Sequence, residues 1–426
     1  MTSVDNTSRQ QTVSIDDVIT TVVMARVTDF FGFFVYAIAS ALIFPRIFFP
    51  FLDPVAGTLW SFAVFSLAFL ARPLGSILSR YLQPKIGRPG KVMLALMVLG
   101  TSTVAIGLLP GYDKIGITAP ILLAVLRFVQ GVGLGGSWDG ITLQLKSAAP
   151  KNRTGLYGVI PQLGGPIGFC VAAAMFYVLT GFLTEAELYT YGWRFAFFAV
   201  MAVNVVSLFA RLRLISTDFG AEDPTLLQSA PMPALFKAEG KTIVLSAALP
   251  IASYALMHMM TVFPLSYTLL FTDHAMSTII LWQLLGGALA IVAVIVSGLM
   301  ADKYSMRRVL WISCALVPLL GLSIGTLNTT PQIFIVFGFI VLGLSYGQSS
   351  AILPNRFAPE FRYSGSAVST NFSWILGAAF APFIALLLAS TFGLWAASLY
   401  MLSGAIVTVA ALYLLEKRLK AKLTQV

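Results

Sequence analysis

The chain has 426 residues, of which 58% are hydrophobic and only 10% charged, and its formal net charge is +10. A soluble domain carries about 25% charged residues, so this chain cannot cover a water-facing surface, and lipid must be the solvent for most of it. Its two histidines and two cysteines, Cys170 and Cys314, offer no ligand spacing for a structural zinc site, and no metal or cofactor is expected.

Residues 1–17 form a polar tail without the apolar core of a cleavable signal. The first span is then expected to act as an uncleaved insertion signal. Apolar runs follow near 19–44, 58–80, 92–110, 119–145, 155–182, 192–211, 242–271, 278–300, 309–327, 332–353, 364–390 and 393–415. Each is close to the roughly 20 residues that cross a bilayer. Backbone groups in hydrocarbon must be satisfied within their own segment, which demands helices. The polar–apolar alternation of barrel strands is absent. The sequence predicts an all-α membrane protein of twelve transmembrane helices.

Lys and Arg crowd alternate gaps. Arg80, Lys85, Arg88 and Lys91 follow span two; Lys151 and Arg153 follow span four; Arg211, Arg213, Lys237 and Lys241 follow span six. Lys303, Arg307 and Arg308 follow span eight, Arg356 and Arg362 follow span ten, and Lys417, Arg418, Lys420 and Lys422 lie in the tail. The other gaps hold only Arg46 and Lys114. This bias places both termini in the cytoplasm and explains the net charge without a nucleic-acid partner. The longest interior polar stretch, with Asp218, Glu222, Asp223, Pro224, Pro231 and Pro233, reads as a cytoplasmic linker over 213–240. It joins a first six-helix half, 18–212, to a second, 241–415, followed by a basic tail, 416–426. Basic turns at Lys85-Ile86-Gly87-Arg88 and at Lys303 to Arg308 occupy corresponding places, as parallel transporter repeats produce.

Several stretches in fixed order carry a resemblance. They are Asp29-Phe30-Phe31-Gly32-Phe33-Phe34-Val35-Tyr36, then Phe69-Leu70-Ala71-Arg72-Pro73-Leu74-Gly75, then Leu126-Arg127-Phe128-Val129-Gln130-Gly131-Val132-Gly133-Leu134-Gly135-Gly136. Gly155-Leu156-Tyr157-Gly158 with Gln162-Leu163-Gly164, Gly192-Trp193-Arg194, and Arg362-Tyr363-Ser364-Gly365 with Asn371 complete the set. The chain resembles the major facilitator superfamily and, within it, the metabolite:proton symporter family. Members carry solutes such as shikimate, α-ketoglutarate, citrate, dicarboxylates, proline and betaine. Four carboxylates of that pattern fall on other residues here: Gly32, Pro84, Ser137 and Ser147. Proton coupling is therefore an expectation of the resemblance that the residues only partly support.

Ionisable groups inside a span are costly unless paired or facing a wet cavity. Arg26 and Asp29 share a helical face, either as a cavity-facing proton-coupling pair or as a charge pair holding helices together. Arg127 reads as an anchor for a substrate carboxylate or as a structural partner within the bundle. Asp139 could replace the acid missing at Ser137, but two positions on a helix are about 200° apart, so a partner such as Lys146 is equally natural. Trp138 returns to nearly the face of Arg127 and is a cavity candidate. Arg72 could snorkel to the cytoplasm or couple to Asp29 or Asp139. His258 shares a face with Tyr254 and Thr261 and could bind solute, titrate or simply pack. Asn371 and Trp374 offer an amide and a stacking surface, and Gln162, Gln283 and Tyr346 are weaker candidates. Gly75 and Arg88 after span two, and Asp302, Arg307 and Arg308 after span eight, read as gate or structural residues, the second turn acting through helix-end contacts.

The expected function is secondary transport of a small organic solute, a carboxylate metabolite above all, by alternating access with proton symport. Span cations outnumber span acids, which an anion would balance. A proline- or betaine-like osmolyte carrier, an uncoupled facilitator or exchanger, and a non-transporting sensor or scaffold are the alternatives. An enzyme would need clustered His, Asp or Glu at a membrane face, and that is missing. The expected setting is a monomer in the bilayer of a bacterial inner membrane, with the solute and protons as partners.

Overall fold

Asp53 accepts hydrogen bonds from the N–H groups of Val55 and Ala56, and Pro54 occupies the first helical position. That capped start opens a helical element of 55 residues, Pro54–Leu108. At about 1.5 Å per residue it would be roughly 80 Å long, far beyond the ~30 Å core of a bilayer. It is not one rod. Gly87 has φ 71° and ψ 173°, a backbone geometry reserved for glycine, and Pro84 and Pro89 flank it. The break separates span two (54–86) from span three (88–108), and Lys91 Nζ donates to Gln83 Oε1 across it at 3.1 Å.

The computed structural model describes residues 15–137, 145, 149–150, 152–216, 230–353 and 356–423, and among them there is no strand. Span one is Ile15–Leu42. Span four, Thr118–Gly136, packs on both arms of the long element. Gly131 and Gly135 face the backbone of Ala68 and Arg72 in span two, while Gly133 and Gly136 face Ala95 in span three. No side chain fits at the closest of these approaches, which is why small residues recur there. Span five runs Thr154–Phe182 through a 3-10 turn at Ile160–Leu163. Span six is Arg194–Ser216, bent by 45° from the short helical segment Glu185–Gly192.

The second half repeats the plan with more breaks. Span seven, Met232–Phe271, is interrupted at Pro250 and again at Val262, just before Pro264. Proline lacks the N–H that would continue the ladder. Gln283 Nε2 of span eight, Met276–Lys303, donates to the Met260 and Thr261 carbonyls at 2.7 and 3.2 Å and satisfies that break. Span nine, Met306–Leu322, has only 17 residues and gains length from the 3-10 segment Ile324–Asn328. Span ten is Pro331–Ala351. Span eleven, Pro359–Phe392, contains a π-helical turn at Ile375–Ala379. Span twelve is Ala396–Leu423.

Among the described residues, nine helices are long and apolar enough to cross a membrane, and the bent pair that contains span six makes ten. Dividing the long element at Gly87 and adding span nine brings the bundle to twelve, in two six-helix halves. Three boundaries differ from expectation. Span six continues to Ser216, span seven begins at Met232, well inside the stretch read as linker, and the stretch read as a basic tail is helical to Leu423. Each extension carries apolar residues among its cations, such as Leu212 and Leu214, Leu235 and Phe236, or Leu414 and Leu415. Composition alone reads such mixed segments as loop. An even number of spans puts both ends of the chain at one end of the bundle, called the terminus end below.

Candidate functional site

Span one carries Arg26 and Asp29 just before its Phe-rich stretch, which begins at Phe30. Span two descends past Phe65 and Phe69 to Arg72 and Ser76, and span eleven ascends past Thr370 and Asn371 to Trp374. These elements meet in two layers between the halves. The layer nearer the terminus end is charged, and the next is aromatic.

The charged layer surrounds a small cavity of about 40 Å³, lined by Arg26, Asp29, Arg72, Ser76, Leu134, Gly135, Ser137, Arg211, Ala367, Thr370 and Asn371. Arg211 Nη2 lies 2.7 Å from Asp29 Oδ2, and the same nitrogen donates to the Ala25 carbonyl at 2.7 Å. Arg26 Nη1 stands further off, 3.9 Å from Asp29 Oδ2. Asp29 Oδ1 has no hydrogen-bond partner among the described residues. Arg72 turns inward rather than snorkelling to the membrane surface, and its guanidinium stands 5.5 Å over the Trp374 ring. Asn371 Nδ2 donates to Ser76 Oγ at 2.9 Å, bridging the halves, and Ser76 Oγ donates on to the Gly135 carbonyl at 3.0 Å.

One turn above, rings from both halves close the path. Trp374 stacks on Tyr254 at 4.2 Å and 17° and lies nearly parallel to Phe69 at 5.9 Å. His258 is completely buried with Phe33, Phe65 and Phe69 at 5.5, 5.1 and 6.1 Å. Neither of its ring nitrogens has a hydrogen-bond partner among the described residues. Ser66 Oγ of span two also donates at 2.6 Å to the Ala379 carbonyl, which the π-turn of span eleven leaves available. The far side of the bundle is therefore shut.

The terminus end is bridged as well. Asp302, at the end of span eight, accepts from the Gly155 N–H at 2.6 Å and the Leu156 N–H at 3.1 Å. These are unpaired donors of the first turn of span five, and a carboxylate at a helix N-terminus is favoured by the peptide dipoles. Arg307 instead pairs with Glu416 of its own half at 3.1 Å, and Arg308 is exposed. Gly75 faces Val132 of span four, so it serves packing inside the first half. Arg88 sits half-buried in the turn beside Gly87.

The structure thus gathers Arg26, Asp29, Arg72, Asn371, Trp374, Tyr254 and His258 around one axis. It does not bring Arg127 to the cavity. That guanidinium is buried within the first half, 3.7 Å over the Tyr36 ring. It donates to the Phe65 carbonyl at 3.2 Å and to Gln130 Oε1 at 2.9 Å, and Gln130 continues to Thr103 at 2.7 Å. The Phe65 ring stands between Arg127 and His258. Gln162 is buried in the 3-10 turn of span five, outside the lining. Trp138 and Asp139 lie outside the described residues. Arg211, counted in the sequence as a loop cation, is fully buried instead. The apolar residues on both sides of it were the signal that it belonged to the span.

A helical membrane bundle with a charged cavity between two halves, bridged at both ends, is built as a carrier. A Major Facilitator Superfamily profile matches residues 28–374, and the chain belongs to this superfamily of transporters. It is 37% identical to the inner membrane metabolite transport protein YhjE of Escherichia coli K12, over 91% of this chain and 90% of that one. It is 29% identical to the shikimate transporter of the same organism, over 93% of both chains. Identity to the E. coli K12 proline/betaine transporter is 28%, over 91% of this chain and 81% of that one. The crystal structure of a D-xylose-proton symporter superposes with a TM-score of 0.70 at 15% identity, covering 94% and 97% of the two chains. At that identity the likeness speaks for the fold.

Proposed function

We propose that the protein carries a small organic anion, a carboxylate metabolite, together with a proton by alternating access. The observation that carries the reading is the charge of the cavity: the guanidiniums of Arg26, Arg72 and Arg211 converge on a space whose described lining holds one carboxylate, Asp29. A bound carboxylate would balance that excess. Arg72 and Arg26 offer the first contacts, since Arg211 is the closest to Asp29. As the solute takes over Arg211, Asp29 loses its counter-ion and a proton becomes the means of neutralising it, which ties anion entry to proton entry. Opening of the terminus end then requires Asp302 to leave Gly155 and Leu156, and opening of the far side requires the rings around His258 to part.

The Lys and Arg bias supports a terminus end in the cytoplasm, and the metabolite carrier among the relatives is an inner membrane protein. The aromatic layer is the one feature that favours the zwitterionic osmolyte reading, because quaternary ammonium groups bind ring faces. Arg72 already occupies the face of Trp374, which weighs for the anion.

Uptake into proteoliposomes tests the proposal. Mono-, di- and tricarboxylates, shikimate and betaine are offered with and without an imposed proton gradient. Gradient-driven accumulation of a carboxylate is expected; accumulation of betaine alone, or uptake of every solute without gradient response, overturns the anion or the coupling respectively.

A further inference from the structure

Spans seven and twelve meet near the terminus end in an outward-opening groove of about 660 Å³, lined chiefly by Lys241, Val244, Leu245, Leu414, Lys417 and Arg418. Its chemistry is layered. On span seven Lys241 precedes Val244 by one turn, and on span twelve Lys417 and Arg418 follow Leu414 by one turn. The two helices run in opposite directions, so the cations of both fall at one level and the apolar residues of both at the next. The cations stand where the apolar runs meet polar sequence. Gly240 leaves the upper wall open, with no atom within 4 Å of where a Cβ would sit. The neighbouring acid on span twelve, Glu416, is committed to Arg307 at 3.1 Å, and Glu239 is not part of the lining.

We infer that this seam is a binding site for one acidic phospholipid, with its phosphate on Lys241, Lys417 and Arg418 and an acyl chain along Val244, Leu245 and Leu414. Val244 and Leu414 stay exposed on the outside of a membrane bundle, where lipid is the solvent for apolar side chains. A groove with a basic rim selects anionic over zwitterionic headgroups, and long basic side chains reach the headgroup level while their stems stay on apolar surface. The site is separate from the cavity and does not depend on the identity of the transported solute.

The purified full chain in detergent is titrated with phosphatidylglycerol and with phosphatidylcholine of the same acyl composition, and bound lipid is counted by native mass spectrometry. Phosphatidylglycerol is expected to bind at least about tenfold more tightly. The variant K241Q/K417Q/R418Q should bind both lipids alike, and Val244→Trp, which fills the groove and keeps the charges, should weaken phosphatidylglycerol by a similar factor. Equal affinity for the two lipids in the unaltered protein, undiminished selectivity in K241Q/K417Q/R418Q, or undiminished affinity for phosphatidylglycerol in Val244→Trp overturns the site. So does full displacement of the lipid by inorganic phosphate at equal concentration, because the groove would then be idle. Phosphatidylglycerol with a photoreactive acyl chain gives a readout free of variants: labels should map to 240–245 and 414–418, and labelling confined to other seams also overturns the site.

Discussion

Arg211 Nη2 lies 2.7 Å from Asp29 Oδ2, joining span six to span one inside the first half. The pair is almost shut off from solvent, with side-chain exposures of 2% and 13%. Removing one partner of such a pair leaves an uncompensated buried charge and costs about 3–5 kcal/mol, whereas removing both costs much less. Arg211→Gln should therefore lower thermal stability in detergent markedly, and Asp29→Asn/Arg211→Gln should recover most of the loss. Additive losses in that double-mutant cycle would show that the two groups do not act as a unit.

Coupling separates from stability in the same pair. Asp29→Asn removes the proton acceptor and keeps the shape. In proteoliposomes it should abolish the response of uptake to an imposed proton gradient while leaving exchange of solute across the membrane measurable. Gradient-driven accumulation at the unaltered level would take Asp29 out of the coupling role.

Asp302 offers a second test. Its two charge-assisted hydrogen bonds to the first turn of span five are each of the kind that contributes about 1.5–3 kcal/mol, and every 1.4 kcal/mol is about tenfold in a population. Asp302→Ala should shift the resting protein toward the state open at the terminus end. With Cys170 and Cys314 replaced by alanine, a cysteine at Thr370 should react with a hydrophilic maleimide from that side at least about tenfold faster in the Asp302→Ala background. An unchanged rate would mean that the latch does not set the resting state.

The twelve apolar runs were legible because lipid imposes one rule on every span, and Gly87 between Pro84 and Pro89 marked a turn. The charge positions were less legible. Arg26, Asp29 and Arg72 stand out against apolar sequence, and they do meet in one cavity. Arg211 was hidden by Arg213 and by the composition of the following stretch: a cation at a span end reads the same whether it turns outward to water or inward to a carboxylate. Arg127 shows the converse. A charge deep in a span promises a ligand, yet Phe65, Gln130 and Tyr36 hold this guanidinium within one half, away from the cavity lining. Register along a helix is visible in sequence; which neighbour occupies the facing groove is not.

His258 is the next case. Two buried ring nitrogens without partners among the described residues cost about 1–3 kcal/mol each in lost hydration. His258→Phe suits the surrounding rings of Phe33, Phe65 and Phe69 and should raise the melting temperature. If the solute is what satisfies the imidazole, the same substitution should raise KM at least about tenfold with kcat reduced far less. A stabilised variant with unchanged KM would make His258 a packing residue.

Gly135 and Gly131 make a controlled pair. A Cβ on Gly135 would lie 2.8 Å from the carbonyl carbon of Arg72, and one on Gly131 would lie 2.8 Å from the carbonyl carbon of Ala68. Both substitutions force span four away from span two, and overpacking of this kind costs about 1–3 kcal/mol. Only the first pushes on the backbone that carries a cavity guanidinium. Gly135→Ala and Gly131→Ala should therefore show similar losses in thermal stability, while KM for the anion rises severalfold in Gly135→Ala alone. Parallel changes in KM would mean that the spacing of spans two and four acts on the whole half, and that the position of Arg72 is not what the solute reads.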